Sequence, residues 1–275
     1  MTLPMQDPDV TVAPQGATGA QAVQRALSLL SLVGRGGSAG LGLAQLTTAA
    51  RLTRPTVRRL LLALGTARLV EQDAVTRRYH LGPEAYLLGS LASPRHGMLR
   101  HAADAVQRLA NETGDTAFLS VQQDDHVLCL MHREGRFPIR TQALKTGDRN
   151  PIGLGAGGLA LLAAMPETEA DALFARITPL VTRIAIADLR ADVARARLCG
   201  HALNPGRVVP GSWALGVAVR WPDGRPAAAL SVAAIEDRMA PDRQPALVAL
   251  LQREAALVEA RLAHHFVSPE RQDIA

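Results

Sequence analysis

Apolar residues between Gln21 and Val33 fall at positions 23, 26, 27, 29, 30 and 33, the spacing of a helix with one buried stripe. Gly34, Gly36, Gly37 and Gly40 then predict a loop, Leu43 to Ala50 a short helix, and Arg51-Leu52-Thr53 a tight turn. Thr53 is placed to cap the next helix, with Pro55 tolerated in its first turn. That helix, Arg54 to Gly65, sets Val57, Leu60, Leu61 and Leu64 at i, i+3, i+4 and i+7. Two short strands follow, Arg68 to Gln72 and Arg77 to Leu81, joined by a turn at Asp73-Ala74. Helix, helix, turn, helix and hairpin is the order of a winged helix-turn-helix.

Pro83 to Leu91 reads as a linker helix whose Leu87, Leu88 and Leu91 form an apolar side, and Ser93-Pro94 to Gly97 as a break. A helix from Leu99 to Thr113 opens the second half. Strands are predicted at Thr116 to Gln122, Val127 to Arg133 and Ile139 to Ala143, and a loop at Gly147 to Gly158. Helices follow at Leu159 to Ala164, Glu167 to Ala175 and Asp188 to Cys199, then strands at Trp213 to Val219 and Ala227 to Ile235, and a final helix, Asp242 to Phe266. Strands, then helices, then strands imply a mixed α+β sheet rather than alternating βαβ units. The domain reading is therefore a winged helix-turn-helix over 20–82, a linker helix over 83–98 and a mixed α/β domain over 99–267. The Pro-, Gly-, Thr- and Gln-rich start, 1–19, and the end, 268–275, read as disordered tails.

Charge changes the picture once it is mapped. Between Ala20 and Gly82 nine arginines face two acids, whereas Leu99 to Ala275 holds 20 basic and 20 acidic residues. All the excess positive charge sits in the first third. Only one lysine, Lys145, occurs, so the chain prefers arginine throughout; such a preference would colour both halves alike. The asymmetry points to a polyanion, because phosphate neutralisation with counterion release favours a small basic domain. Cys129 and Cys199 stand alone with no CxxC spacing, which suggests neither a zinc site nor a disulfide framework and fits a reducing compartment. The chain start shows no signal peptide, and the apolar run Leu159 to Met165 is too short to span a bilayer. The expectation is a cytoplasmic protein without a membrane partner.

Arg54 and Arg58 lie one turn apart on the third helix, with Arg59 beside them, Arg51 just upstream and Thr56 near the N-terminus. Recognition helices present such residues to the major groove, where arginine binds guanine with two hydrogen bonds. Arg77 and Arg78 on the hairpin suit phosphate or minor-groove contacts. Gly153-Leu154-Gly155-Ala156-Gly157-Gly158 satisfies GxGxxG, but a polar, proline-containing stretch precedes it, and Asp171, the candidate ribose acid, sits on a helical stretch. Neither a nucleotide cofactor nor an HExxH or Ser-His-Asp arrangement is expected. His132 and Arg133 end a strand and could reach a ligand, although a solvated strand end is the commoner case.

The segments Ala22-Val23-Gln24-Arg25-Ala26-Leu27, Leu52 to Leu61, Tyr79-His80-Leu81-Gly82-Pro83, Leu109 to Gly114, Gly147 to Ile152, Gly158 to Ala163 and Ala228 to Val232 together resemble the IclR family of bacterial regulators. The resemblance runs from Ala20 to about Phe266. It implies a GAF-like effector domain, homodimers or dimers of dimers, operator DNA as one partner and a small-molecule effector as the other. Family members often carry His where Gly153 stands and Lys where Leu159 stands. Members that bind small carboxylates line the pocket with Asp, Cys and two Ser; the matching positions here hold Asn204, Ala214, Ser231 and Ala233. With one hydroxyl left, the resemblance implies an effector larger and less polar than glyoxylate, since a carboxylate buried without donors costs several kcal/mol. Leu154, Gly155, Ala156 and Trp213 would border the same site, Trp213 being weighed also as a core residue. Two other readings stay open: an enzyme using the Gly153 to Gly158 loop, and a ligand-binding protein that does not touch DNA.

Overall fold

The computed structural model describes residues 18–141, 144–182 and 184–267. They form two compact units that divide between Gly97 and Met98. The first contains α1 (Thr18–Arg35), α2 (Leu43–Ala50), α3 (Arg54–Thr66), the strands β1 (Val70–Gln72) and β2 (Tyr79–Leu81), and α4 (Pro83–His96). Leu29, Val33, Leu46, Val57, Leu60, Leu61, Leu64 and Val70 make its core. A fully buried aliphatic side chain of this kind stabilises by about 1.5–3 kcal/mol. Helix α2 stops because Arg51 turns left-handed, with φ 51°, and the chain then re-enters a helix through Thr53 and Pro55. The Thr53 side chain makes no capping bond; its hydroxyl lies 2.8 Å from that of Thr56 instead.

Three expectations are corrected in this unit. Thr18 and Gly19 belong to α1 rather than to a tail, while the rest of 1–19, like 268–275, falls outside the described residues. Helix α4 runs through Ser93 and Pro94 and ends at His96, with Gly97 as the break. A proline removes one intrahelical bond, and near a helix end that loss need not stop the helix. The hairpin turn is longer than Asp73-Ala74: it spans Asp73 to Arg78, which shortens both strands. Asp73 Oδ1 accepts from the Val75 and Thr76 backbone N–H groups at 3.0 and 2.6 Å and from the Thr76 hydroxyl at 2.8 Å. The Thr76 bonds, chiefly the backbone one, hold the Asp73 carboxyl below its ordinary range.

The second unit contains α5 (Met98–Thr113), β3 (Thr116–Gln123), β4 (His126–Arg133), β5 (Arg149–Pro151), α6 (Ala156–Ala164), α7 (Glu167–Ile177), α8 (Ile186–Cys199), β6 (Ala202–Pro205), β7 (Ser212–Arg220), β8 (Pro226–Ile235) and α9 (Gln244–Val267). Its six strands form one sheet in the order β5-β4-β3-β8-β7-β6, and every pairing is antiparallel. The expected strand at Ile139 to Ala143 is absent from 139–141, and 142–143 lie outside the described residues. That edge of the sheet is closed by β5, from a segment read as loop, and the other edge by β6, which three apolar or proline positions in four residues had not marked as a strand.

Side chains alternate across the sheet. Ala117 and Leu119 of β3, Leu215, Val217 and Val219 of β7, and Ala228, Leu230, Val232 and Ala234 of β8 pack against α5 and α9. Ala202 of β6, Val127 of β4 and Ala229 of β8 face the helices α6, α7 and α8 on the other side. Helices α5 and α9 are also tied by a buried carboxylate. Glu254, with no exposed surface, accepts from Arg108 Nη2 at 2.6 Å and from Arg253 Nη2 at 2.9 Å, and Arg253 reaches on to Glu112 at 2.6 Å. Burial alone would raise the Glu254 carboxyl, but the hydrogen bonds from Arg108 and Arg253 outweigh it and hold the group below the ordinary glutamate range.

Glu254→Ala is expected to cost about 2–3 kcal/mol at pH 7, the worth of hydrogen bonds to a charged group. Because the folded-state value is depressed, this stability is present above the unfolded value and is lost as pH falls through the folded one. Urea unfolding of both proteins should show a gap that is full at pH 7 and narrows below about pH 4.3. A gap that stays constant into acid would remove the carboxylate from this role.

Candidate nucleic-acid interface and effector pocket

Burial of Val57, Leu60, Leu61 and Leu64 leaves the opposite face of α3 to solvent, and Arg54, Arg58 and Arg59 lie on it with Arg51 just before the helix. All four arginines are exposed, and none forms an ion pair with an acid among the described residues. Such a face is a concentrated positive field on a small element. Thr56 is half-buried and shares its hydroxyl with Thr53. On the hairpin the two arginines differ. Arg77 is exposed and left-handed, with φ 59°, whereas Arg78 is half-buried and donates to the Gly40 carbonyl and to Gln45 Oε1, both at 3.3 Å. Arg68, which the sequence pattern did not single out, is exposed and left-handed (φ 56°) between α3 and β1.

The second unit holds a pocket of about 580 Å³, its open mouth included, between the sheet and the N-terminus of α6. The sheet provides a floor of small side chains: Ala214 pairs with Ala233 and with Asn204, and Ser231 with Gly216 and Phe118. Of the residues expected here, Gly155, Ala156, Asn204, Ala214, Ser231 and Ala233 line the pocket, and Leu154 and Trp213 do not. Leu154 packs toward the core beneath α6 to α8, and Trp213 toward the opposite core under α5 and α9. Strand alternation requires this of Trp213, since its neighbour Ala214 faces the pocket. Phe118, Ser120, Leu144, Asn150, Val208 and Ser212 line it as well. The spacing of Ser120 on β3 could have found it, because it is two residues from Phe118 on one face; Leu144 and Val208 lie outside the strands and carry no such signal.

Among the described residues no charged side chain lines the pocket. Ser120, Ser212 and Ser231 are each at least nine-tenths buried, and their hydroxyls have no hydrogen-bond partner among the described residues. The Asn204 amide is engaged: its Nδ2 donates to the Leu154 carbonyl at 2.5 Å, and its Oδ1 accepts from the Arg207 backbone at 2.9 Å. Ala156, Gly157 and Gly158 put the first turn of α6 at the pocket, and the first N–H groups of a helix have no partner inside it. Two glycines permit this approach. A side chain at Gly216 would come within 2.7 Å of the Ala156 carbonyl, and one at Gly158 within 2.7 Å of the Gly153 nitrogen.

The same geometry accounts for the GxGxxG stretch. It joins β5, a three-residue antiparallel edge strand, to α6, whereas a dinucleotide fold needs a parallel βαβ unit at that point. Asp171 pairs with Arg190. Burial, with the Asp148 charge second, pushes the Cys129 thiol up to about 12, so it stays protonated and is a poor nucleophile. His132 stacks on Phe118 and lies 3.1 Å from the Thr146 hydroxyl, and Arg133 is exposed at the strand end. Among the described residues no group of three metal-ligating side chains occurs, and no helix is long and apolar enough to cross a membrane.

Comparison with known proteins agrees with this arrangement. Residues 22–74 match the IclR helix-turn-helix domain, and residues 92–260 match the family described as bacterial transcriptional regulator IclR C-terminal. The chain is 30% identical over 259 residues to the HTH-type transcriptional regulator BhcR of Paracoccus denitrificans, covering 93% of this chain and 90% of that one. It is 26% identical to the HTH-type transcriptional repressor AllR of Klebsiella pneumoniae, covering 84% and 85%. A crystal structure of a putative IclR transcriptional regulator from a Silicibacter species superposes with a TM-score of 0.68 at 29% identity, covering 88% of this chain and 96% of that one. With a DNA-binding helix-turn-helix before an effector-binding domain, and relatives named as regulators rather than enzymes, the chain belongs to the IclR family of ligand-responsive bacterial transcriptional regulators.

Proposed function

We propose that Arg51, Arg54, Thr56, Arg58 and Arg59 form the operator-reading surface of a cytoplasmic regulator, with Arg77 adding a phosphate contact from the wing. The observation that carries this is the unpaired arginine face of α3. On this reading 20–82 is the DNA-binding domain, 83–98 the linker and 99–267 the effector domain. The protein acts as a homodimer, or a dimer of dimers built on it. Support comes from the exposed apolar side of α4, Tyr86, Leu87, Leu88 and Leu91, and from Val23 and Leu27 of α1, all exposed in the single chain. A second copy on this surface would give two recognition helices the two-fold relation that paired half-sites demand.

The effector on this reading is a monocarboxylate with an apolar body. Its acid group sits at the α6 N-terminus, where unpaired backbone N–H groups and the helix dipole favour an anion, with Ser120, Ser212 and Ser231 as further donors. Its body lies against Phe118, Leu144, Val208, Ala214 and Ala233. These serines supply the donors that a one-hydroxyl pocket would lack, and the alanines leave apolar room that glyoxylate would not fill. The effector is thus larger and less polar than glyoxylate, but it keeps one charge.

Three measurements test these readings. Gel shifts with the protein's own upstream promoter DNA at stated salt should show each of Arg54→Ala, Arg58→Ala and Arg59→Ala weakened, a base-reading arginine by about 1–3 kcal/mol; three variants that shift DNA like the parent would remove α3 as the reading helix. Sedimentation at micromolar concentration should give a dimer or tetramer, and Leu88→Arg with Leu91→Arg should lower the mass; a monomer in the unaltered protein would end the assembly reading. Calorimetry should find benzoate binding more tightly than glyoxylate, and Ser231→Ala weakening benzoate about tenfold. Tighter glyoxylate binding by the unaltered protein would overturn the effector class.

A further inference from the structure

The wing is too small to hold its own position. Each strand has three residues, and an isolated two-stranded hairpin of this size is marginal in water. Its direction relative to α2 and α3 must therefore be imposed from outside. One tie is a single β-bridge in which Leu41 and Tyr79 exchange backbone hydrogen bonds of 3.1 and 2.9 Å. Beside the packing of Val70 and Tyr79 on the core of the unit, a further tie lies one residue earlier. Arg78 Nε donates to the Gly40 carbonyl and Nη2 to Gln45 Oε1, both at 3.3 Å, and the same Gln45 oxygen accepts from the Gly42 backbone N–H at 2.9 Å. One amide oxygen thus joins the first turn of α2 to the wing. The turn itself is held by Asp73 and by Gln72 Nε2, which donates to the Arg77 carbonyl at 2.8 Å. Arg77 is left exposed beside this braced residue.

We infer that Arg78 and Gln45 are positioning residues that fix the wing so that Arg77 meets phosphate, and that Arg78 is not itself a phosphate contact. The inference rests on the wing contact proposed for Arg77. Turning Arg78 out to a phosphate would break both bonds to the body, whereas Arg77 has none to break. The two arginines look equivalent in the chain, but their partners give them different work. Gln45, which carries no charge and lies outside the recognition helix, becomes a determinant of DNA affinity.

The experiment uses the full chain, a fluorescently labelled DNA duplex of arbitrary sequence, and affinities measured across a range of NaCl concentrations. Arg77→Ala should lower the slope of log affinity against log salt by about 0.9, the value of one phosphate. Gln45→Ala and Arg78→Ala should each weaken binding about fivefold and lower the slope by no more than that one phosphate. Added to Arg77→Ala, neither should have any further effect, a result that general loss of stability would not produce. In DNA-free protein both should speed hydrogen exchange at the Leu41 and Tyr79 amides. The inference is overturned if Gln45→Ala is silent while Arg77→Ala with Arg78→Ala lowers the slope by about two phosphates. Should Arg78→Ala fail to fold, Gln45→Ala alone still decides, by its slope and by its effect in the Arg77→Ala background. Accelerated exchange with an unchanged slope in Arg77→Ala would instead overturn the wing contact, and with it the role given to Arg78.

Discussion

An antiparallel sheet buried on both faces has to satisfy two different neighbours with one alternating chain. In β7 and β8 that constraint puts most of the large side chains on one face, with Ala228 and Ala234 among them. Leu215, Val217, Val219, Leu230 and Val232 point to α5 and α9, and Ser212, Ala214, Gly216, Ala229, Ser231 and Ala233 point the other way. Large side chains fill the first face to the density of a protein interior. Small ones on the second let the first turn of α6 approach the strands, with Gly216 directly beneath the Ala156 carbonyl. The pocket is the space left where that helix end meets a floor too shallow to fill it. Its polar groups, hydroxyls and helix N–H, follow from the same need for small residues.

Arginine has opposite uses in the two units. In the second, acids consume it. Asp115 accepts from Arg238 and Arg243 at 2.7 and 2.6 Å, and Arg238 also lies 3.9 Å over the Phe137 ring. Arg176 pairs with Asp125, and Arg108 and Arg253 pair with Glu254. In the first unit acids are nearly missing, and Asp73, one of the two between residues 20 and 82, is occupied by the hairpin turn. The guanidinium groups around α3 keep their charge unneutralised, so a polyanion gains the full Coulombic attraction without displacing an internal partner. Packing chooses the face of α3, and the shortage of carboxylates decides what that face can bind.

This division was legible where periodicity was strong. Helix α2 is observed at the expected residues, and α3 one residue longer, because their apolar positions and the Thr53-Arg54-Pro55 start leave no other phase. Edge strands were not legible. β5 has three polar or proline positions and β6 only four residues, so each depends on the sheet it joins and not on its own pattern. The break expected at Ser93-Pro94 fell later because a proline is a local penalty and a helix a collective structure. Pocket residues matched through family resemblance came out largely together, since six of the eight share one floor and one helix end. Trp213 was an exchange of faces: a position next to a pocket residue on a strand is the position least able to join it. Ser120 and Ser212 were missed because a serine in a strand has no signature until its neighbours are known.

Selectivity in such a pocket depends on which polar groups are already engaged. Asn204 stands at a position where acid-binding relatives are expected to carry Asp, yet its amide bonds Leu154 on one side and the Arg207 backbone on the other, so it shapes the wall and has little left to offer a ligand. Arg207, whose backbone N–H holds the Asn204 amide, pairs through its side chain with Asp192 on α8 and does not line the pocket. A carboxylate placed there, as proposed, would meet no formal positive charge among the described residues. It would meet hydroxyls that have no partner among the described residues and the first N–H groups of α6, which have none within the helix. On the proposed reading those donors replace the water around one acid group, because an unmade hydrogen bond to a buried charge is more costly than a made one is favourable. The alanines at 214 and 233 add apolar lining, and on the same reading the rest of the ligand gains its affinity from the area it buries. On the proposed reading, one charge at the helix end and carbon elsewhere satisfies both.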